Sequence, residues 1–222
     1  MIKIQPLRPL ILPAIFFGLF AIIASFIPTY QPFDMFVISL VQTIPDNLEP
    51  IAVYITKLGD PVPLITLALV VALWELYRRH YARALVMASS LIAMPAFFLV
   101  KETIQRTRPI TEFVAQHGLH DYSFPSGHST GTMAVYGMIL VLAYSHLIGK
   151  VRIAIVTACT LIIVLVGLTR VYLGAHFPTD VLGGWLLGVA IISLLRSLSL
   201  FIAKHRHLSK RRAIEDSTEK PV

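Results

Sequence analysis

The sequence predicts an all-α integral membrane protein in which six transmembrane helices form one bundle. Of its 222 residues, 56% are hydrophobic and only 14% are charged, whereas soluble domains carry roughly 25% charged residues. Several uncharged runs reach the roughly 18 residues that indicate a membrane span. A buried soluble core would explain one such run but not six. The spans are expected near residues 10–29, 61–77, 84–100, 129–148, 152–170 and 181–203.

The N-terminal part contains the first span and a less apolar connection. The first span follows Lys3 and Arg8. Its apolar run is longer than a signal-peptide core and lacks a clear cleavage site, so we interpret it as an uncleaved anchor. Residues 33–60 are less apolar and are interrupted by Pro45 and Pro50. This pattern predicts two short amphipathic helices on the membrane surface between spans 1 and 2.

Basic residues orient the bundle. The connection 78–83 carries three arginines, 149–152 carries two cations and 204–212 carries five, and the N-terminus adds Lys3 and Arg8. Lys and Arg concentrate on the cytoplasmic side of membrane proteins, so these segments and both termini are expected inside. The predicted location is the cell (inner) membrane, with multiple passes. The net charge of +7 then reflects topology and contact with membrane lipids rather than nucleic acid.

The chain is expected to form one domain. We assign the six-span domain to residues 1–214 and a disordered cytoplasmic tail to residues 215–222, which are polar. The single cysteine, Cys159, lies within an apolar run and is expected to pack as a small hydrophobic residue. Nothing in the sequence specifies the oligomeric state.

Three cations stand at the outer ends of apolar runs: Lys101, Arg108 and Arg170. Taken alone, each of these cations is explained by a charged side chain at a span end that extends to the membrane interface. Lys101 and Arg108 are seven residues apart, which on a helix separates them by only about 20°, so we expect them on one face. Arg106 falls on another face and is expected to be solvated. Pro109 is expected to end the helix at Arg108.

The stretch FPSGHSTG, residues 124–131, interrupts the apolar pattern immediately before a predicted span. Ser126, preceded by Pro125, suits a helix N-cap, and Gly127 suits a turn. The free N–H groups and positive dipole end of a helix also form an anion site. His128 projects from the first turn beside that site. A purely structural cap and an anion site with a proton donor both remain open here.

The stretch RVYLGAHFPTD contains a third polar cluster at residues 170–180. His176 and Asp180 are four residues apart, and Pro178 suits the first turn of a helix. A carboxylate beside the imidazole would fix its tautomer and make the free ring nitrogen a better nucleophile or base. Alternatively, Asp180 only caps the helix and His176 lies at the interface.

In the six-span topology all three clusters lie on one side of the membrane. Together they offer three cations, a hydroxyl, backbone amides, two histidines and one carboxylate. Phosphoryl transfer needs dense positive charge with a nucleophile and a leaving-group acid in line. The set has too few hard ligands for Mg²⁺ or Ca²⁺, so neither a metal nor another cofactor is expected. No G-x-S-x-G surrounds Ser126, which disfavours a serine hydrolase.

These motifs resemble the signature of the type 2 phosphatidic acid phosphatase family, in particular its bacterial membrane members. The matching residues, in the order K-x6-R-P, P-S-G-H and S-R-x5-H-x3-D, are Lys101, Arg108, Pro109, Pro125, Ser126, Gly127, His128, Arg170, His176 and Asp180. One departure is Thr169, where the family usually has serine. The motifs span about a third of the chain, and both their order and their spacing match.

The resemblance implies a mechanism. His176 would attack phosphorus, oriented by Asp180, and His128 would protonate the leaving oxygen. The phosphohistidine would then be hydrolysed by water without a metal. The phosphate would be held by Lys101, Arg108, Ser126, Gly127 and Arg170.

The resemblance also bounds the substrate. Similar family members act on phosphatidic acid, phosphatidylglycerol phosphate, undecaprenyl diphosphate or lipid A phosphates, and some transfer the phosphoryl group to another lipid. Residues 110–123 are a candidate head-group lid on the extracytoplasmic face. A lipid phosphotransferase and a non-enzymatic lipid-binding or transport protein remain alternatives. A soluble haloperoxidase shares the pocket pattern, but six spans argue against it.

Overall fold

The computed structural model describes the backbone of residues 8–218 and the side chains of residues 10–45 and 47–201. The described part is helical and contains no strand. Its α-helices are α1 (Arg8–Ser25), α2 (Ile27–Val41), α3 (Glu49–Thr56), α4 (Pro61–Tyr77), α5 (Tyr81–Ser89), α6 (Ala93–Ile104), α7 (Glu112–Gln116), α8 (Gly127–His146), α9 (Gly149–Tyr172) and α10 (Pro178–Thr218). Short 3₁₀ turns occur at Asp46–Leu48, Lys57–Gly59 and Ser90–Ile92.

Three helical segments of the described chain are long and apolar enough to cross a membrane: Tyr81–Ile104, Gly149–Tyr172 and Pro178–Phe201. Two bent helix pairs raise the number to five if each pair forms one span. In one pair α1 and α2 meet at 77°, and in the other α3 and its 3₁₀ turn meet α4 at 45°. The prediction of an all-helical membrane protein is therefore confirmed, whereas the number six stays a prediction.

The predicted span 129–148 corresponds to α8, which is not among those candidates. Its first turns carry the buried polar residues Ser129, Thr130 and Thr132. The Thr130 hydroxyl donates to the Ser126 carbonyl at 2.9 Å, so the helix itself satisfies this polar group. Because α8 packs against both α9 and α10, much of its surface faces protein. Such a helix does not need the uniformly apolar surface that lipid requires.

Glycines allow α10 to lie close against α8. A Cβ atom at Gly184 would stand 2.8 Å from the Ser126 carbonyl oxygen, and one at Gly188 would stand 2.6 Å from Met133 Cβ. Small residues permit this approach between membrane helices. The contact places the start of α8 directly against the start of α10.

The predicted pair of surface helices within residues 33–60 is only partly correct. Helix α2 begins at Ile27, with Pro28 in its first turn, a position that suits proline, and it continues to Val41. Only α3 lies entirely within the predicted stretch, because the chain bends before residue 33 rather than after it. At the other end, α10 includes residues 215–218 of the predicted disordered tail, and residues 219–222 lie outside the described part.

The basic turns and the motif residues lie at opposite ends of the bundle. Helix α8 has 20 residues and is therefore about 30 Å long. Its C-terminal His146 lies within electrostatic range of Glu75 and Arg83, so the basic turn after α4 and the turn after α8 share one end. Ser126 and the motif residues lie at the opposite end.

Candidate active site

A cavity of about 200 Å³ opens at the motif-bearing end of the bundle. Six of the eight predicted site residues line it: Lys101, Arg108, Gly127, His128, Arg170 and His176. The other two, Ser126 and Asp180, are fully buried behind the wall. Part of the wall is apolar and is formed by Pro61, Met94, Phe97, Phe98 and Leu119. The structure thus brings the three sequence clusters together around one space.

Lys101 and Arg108, the two cations of the first motif, line the cavity from a helix and from a loop, whereas both were predicted on one helix. Helix α6 ends at Ile104, where Gln105 adopts a left-handed conformation with φ of 54° and its N–H donates to the Lys101 carbonyl. Arg108 therefore lies in the following loop, and the prediction that it shares a helix face with Lys101 was wrong. Both side chains nevertheless converge on Asp121.

Asp121 joins Lys101 and Arg108. Lys101 Nζ donates to the Asp121 carboxylate and to the Tyr122 carbonyl. Arg108 Nη2 donates to Asp121 Oδ1 at 2.7 Å. Burial raises the pKa of Asp121, but the hydrogen bond from Lys101 and the two positive charges outweigh this and lower it to about 2. The loop that we predicted as a lid thus places an ionised carboxylate between two phosphate-binding candidates.

His176 is buried in the short connection between α9 and α10. Its Nε2 lies 3.2 Å from Arg108 Nη1. A guanidinium can only donate, so Nε2 accepts and the proton of the neutral ring is on Nδ1. Burial holds the pKa of His176 well below its usual range, and the charges of Arg108 and Arg170 lower it further. The imidazole is therefore neutral at pH 7, and its Nε2 lone pair is directed at Arg108.

Asp180 lies beside His176, as the spacing predicted, but no hydrogen bond joins them. Asp180 Oδ2 is 3.6 Å from His176 Nδ1, which is too long for one, and Nδ1 has no partner among the described residues. The same carboxylate accepts from the Phe177 N–H at 2.9 Å and from the Ser123 hydroxyl. Asp180 is therefore held in position by other groups and lies next to Nδ1.

Arg106 is buried, so the prediction that it is solvated was wrong. It is 7% exposed and forms ion pairs with Asp180 at 2.6 Å and with Asp34 at 2.7 Å. Gln105, in the left-handed conformation, ends the helix before Arg106. The helical spacing used in the prediction therefore does not apply to the Arg106 side chain. The sequence analysis missed Asp34, although a lone carboxylate in an apolar segment is a recognised sign of function.

The PSGH motif begins α8. Ser126 precedes the helix in an extended conformation, and its hydroxyl oxygen accepts from the Ser129 N–H at 3.4 Å. The N-cap prediction is therefore confirmed. A Cβ atom at Gly127 would lie 2.9 Å from the Phe97 ring. The first backbone amides of α8 thus lie at the wall of the cavity, where they suit an anion.

His128 has a carboxylate partner that the sequence analysis did not identify. Its Nε2 lies 2.8 Å from Oδ1 of Asp60, which immediately precedes α4. A carboxylate can only accept, so this nitrogen carries a proton. The only sequence signal for Asp60 was an acidic residue directly before Pro61 at the start of an apolar run.

The third cation, Arg170, is buried in the last turn of α9. Arg170 Nη1 donates to the Thr56 hydroxyl at 3.1 Å, which anchors its side chain to α3. Its neighbour Thr169 donates its hydroxyl to the Val166 carbonyl at 2.8 Å. The departure from serine at this motif position therefore keeps a hydroxyl that bonds within its own helix. Among the residues with described side chains, no three His, Cys, Asp or Glu groups converge as a metal site would require.

Comparison with known proteins identifies the family. A model of the PAP2 superfamily matches residues 83–202, which is more than half of the chain. The chain belongs to the PAP2 superfamily. The predicted family resemblance is thereby confirmed, and all three motifs lie within the matched residues.

A solved structure supports the same assignment for the PAP2 fold. It is the crystal structure of a transmembrane PAP2-type phosphatidylglycerolphosphate phosphatase from Bacillus subtilis. The superposition covers 86% of this chain and 97% of that chain, with a TM-score of 0.71 and 30% sequence identity. The helical arrangement is therefore shared with a membrane phosphatase.

Named relatives of this PAP2 chain include phosphatidylglycerophosphatase B of Bacillus subtilis (strain 168), which is 39% identical over 110 residues. That alignment covers 49% of this chain and 53% of the relative, so the match spans about half of the relative's length. YbjG of Escherichia coli (strain K12), provisionally named an undecaprenyl-diphosphatase, is 30% identical over 158 residues. That alignment covers 68% of this chain and 75% of YbjG.

Proposed function

We propose that this PAP2 protein is an integral membrane lipid phosphatase that forms a phosphohistidine at His176. It would hydrolyse a phosphate monoester or diphosphate of a membrane lipid. The observation that carries the proposal is the contact between His176 Nε2 and Arg108 at 3.2 Å. The nitrogen that we propose as the nucleophile thus lies beside a cation, at a cavity that Lys101 and Arg170 also line.

The phosphate would take the place of the Asp121 carboxylate. That carboxylate now receives hydrogen bonds from Lys101 and Arg108, and phosphate oxygens suit the same donors. Arg170 and the amides at the start of α8 would bind the remaining oxygens. These groups would stabilise the charge of the transferring phosphoryl group.

The proton balance assigns different roles to the two histidines. Nε2 of His176 forms the bond to phosphorus as the bond to the leaving oxygen breaks, and His128 gives that oxygen a proton. Water then attacks the phosphohistidine, and His128 takes the proton from this water. The carboxylate of Asp180 stabilises the positive charge on the phosphorylated ring of His176.

The shape of the cavity favours an amphiphilic substrate. Cations and the apolar residues Pro61, Met94 and Phe98 both line it, so it offers contacts for a phosphate head and for a hydrocarbon tail. Relatives are named for phosphatidylglycerophosphate, undecaprenyl diphosphate and lipid A 1-phosphate. We propose undecaprenyl diphosphate, phosphatidylglycerol phosphate or phosphatidic acid as the substrate.

We further propose a six-span topology with the site on the extracytoplasmic face and both termini in the cytoplasm. The separation of the basic turns from the cavity by the length of α8 supports this orientation, because basic turns stay inside. In that topology the predicted tail of residues 215–222 is cytoplasmic.

Phosphate release from purified protein in detergent tests the function. The substrates are the three proposed lipids, and the matched control is His176→Ala. We expect release by the wild type and none by the variant. Transfer of the phosphoryl group to a lipid alcohol without free phosphate would instead favour the phosphotransferase, and no turnover of any lipid phosphate would reject the proposal.

A further inference from the structure

We propose that Asp34 and Arg106 act as a positioning pair that holds Asp180 in place beside His176. This inference rests on the proposed function, because positioning Asp180 matters only if His176 is the nucleophile. It assigns a role in the reaction to α2, a helix that carries none of the three motifs.

The contacts form an unbroken chain. Asp34 Oδ2 accepts from Arg106 Nη2 at 2.7 Å, and Arg106 Nη1 donates to Asp180 Oδ1 at 2.6 Å. Asp34 and Asp180 are fully buried. The guanidinium stacks on the Phe177 ring, 4.2 Å from its centroid. A planar guanidinium can bind two carboxylates in defined directions, which an ammonium cannot do.

Thr179 hydrogen-bonds two members of the chain, Asp34 and Arg106, and immediately precedes the third, Asp180. Its hydroxyl donates to Asp34 and accepts from Arg106 Nη1 at 2.8 Å. Its N–H donates to Asp34 Oδ1 at 3.1 Å. The Asp34 carboxylate therefore binds the first turn of α10, immediately before Asp180.

The geometry at Asp180 shows why this pair would affect the reaction. Arg106 holds Oδ1, while Oδ2 is the oxygen that lies 3.6 Å from His176 Nδ1. A carboxylate held at one oxygen by Arg106 has a fixed direction for the other. When His176 bonds to phosphorus, Nδ1–H becomes more acidic and needs an acceptor at that position.

Asp34 lies outside residues 83–202, which the family model matches. Asp34 joins its helix to α10 through the hydrogen bonds from Thr179, and to the loop after α6 through the buried ion pair with Arg106. Removing one partner of such a pair leaves an uncompensated charge, so the test must separate misfolding from mispositioning.

The experiment measures kcat and KM for phosphate release by Asp34→Asn, with Ser39→Ala on the same helix as the control. The Ser39 hydroxyl bonds only to the Phe36 carbonyl among the described contacts and is exposed. We expect Asp34→Asn to lower kcat by roughly 10- to 100-fold. KM should stay within about twofold, because phosphate is held by Lys101, Arg108 and Arg170. Ser39→Ala should match the wild type.

A second pair of variants covers the case in which Asp34→Asn does not fold. Thr179→Val removes the bridging hydroxyl and keeps the shape, whereas Thr179→Ser keeps the hydroxyl. We expect Thr179→Val to lose kcat and Thr179→Ser to retain most of it, with equal amounts of folded protein by circular dichroism. Wild-type kcat in folded Asp34→Asn, or equal kcat in both Thr179 variants, would overturn the positioning role. An inactive wild type would instead reject the proposed function.

Discussion

Nε2 of His128 and Oδ1 of Asp60 are 2.8 Å apart, so the site contains a second histidine–carboxylate pair besides His176 and Asp180. The two pairs differ in geometry. Asp60 binds His128 directly. Asp180 lies 3.6 Å from His176 and is held by other groups. This difference agrees with a proton donor in one case and a nucleophile in the other.

The different roles predict a dependence on the leaving group. Alkoxide leaving groups need a proton, whereas p-nitrophenolate needs it far less. General acid catalysis contributes about 10²–10⁴-fold, so His128→Ala should lose much of that factor in kcat/KM on a lipid monophosphate. It should lose clearly less on p-nitrophenyl phosphate. An equal loss on both substrates would reassign His128 to phosphate binding.

The burial of His176, the proposed nucleophile, predicts a defined pH dependence. Burial and nearby cations hold the pKa of His176 below its usual value of about 6.5, so the acid limb of kcat/KM should lie below that pH. Arg108→Gln removes a positive charge, which stabilises the imidazolium and raises its pKa. The acid limb should therefore move to higher pH. In the control Arg196→Gln, on the exposed face of α10, the limb should not move, and an unmoved limb in Arg108→Gln would contradict this assignment.

The close approach of α8 and α10 predicts sensitivity at Gly184. In Gly184→Ala, the new methyl would stand 2.8 Å from the Ser126 carbonyl oxygen, so the backbone of the turn that we propose binds phosphate must shift. Such overpacking typically costs about 1–3 kcal/mol, and we expect lower thermal stability together with lower kcat/KM. The control is Gly18→Ala, where a Cβ atom meets nothing within 4 Å. Equal behaviour of the two variants in thermal unfolding and phosphate release would refute the argument.

The topology is testable by thiol labelling in intact cells. In a Cys159→Ser background, Gln116→Cys on α7 should react with a membrane-impermeant reagent, because the proposed site faces outward. Ile148→Cys, in the turn after α8, should react only after lysis. The reverse pattern would place the site in the cytoplasm.

Local spacing predicted the parts of the site that depend on local structure. The N-cap at Ser126 and the proximity of His176 to Asp180 both follow from helix geometry over a few residues. The relation between Lys101 and Arg108 was argued in the same way and was wrong in detail, because Gln105 ends the helix. Helix α8 packs against α9 and α10 and carries buried polar residues, which is why it is less apolar than the three candidate spans.

Contacts between distant parts of the chain could not be predicted. Asp34 and Asp180 meet at Arg106, 72 and 74 residues away from it respectively. Asp60 meets His128 across 68 residues. A single sequence does not show which charges will pair when helices pack. An acidic residue in an apolar helix can only be marked as needing a partner.

The most direct test of the central claim is to trap phosphate on His176. Protein would be mixed with a ³²P-labelled lipid phosphate in excess EDTA, quenched rapidly in alkali, which preserves phosphohistidine, and mapped by peptide analysis. We expect label on His176 in the wild type, more label in His128→Ala with p-nitrophenyl [³²P]phosphate as hydrolysis slows, and none in His176→Ala. Label on another residue, or single-turnover phosphate release by His176→Ala at the wild-type rate, would contradict the account.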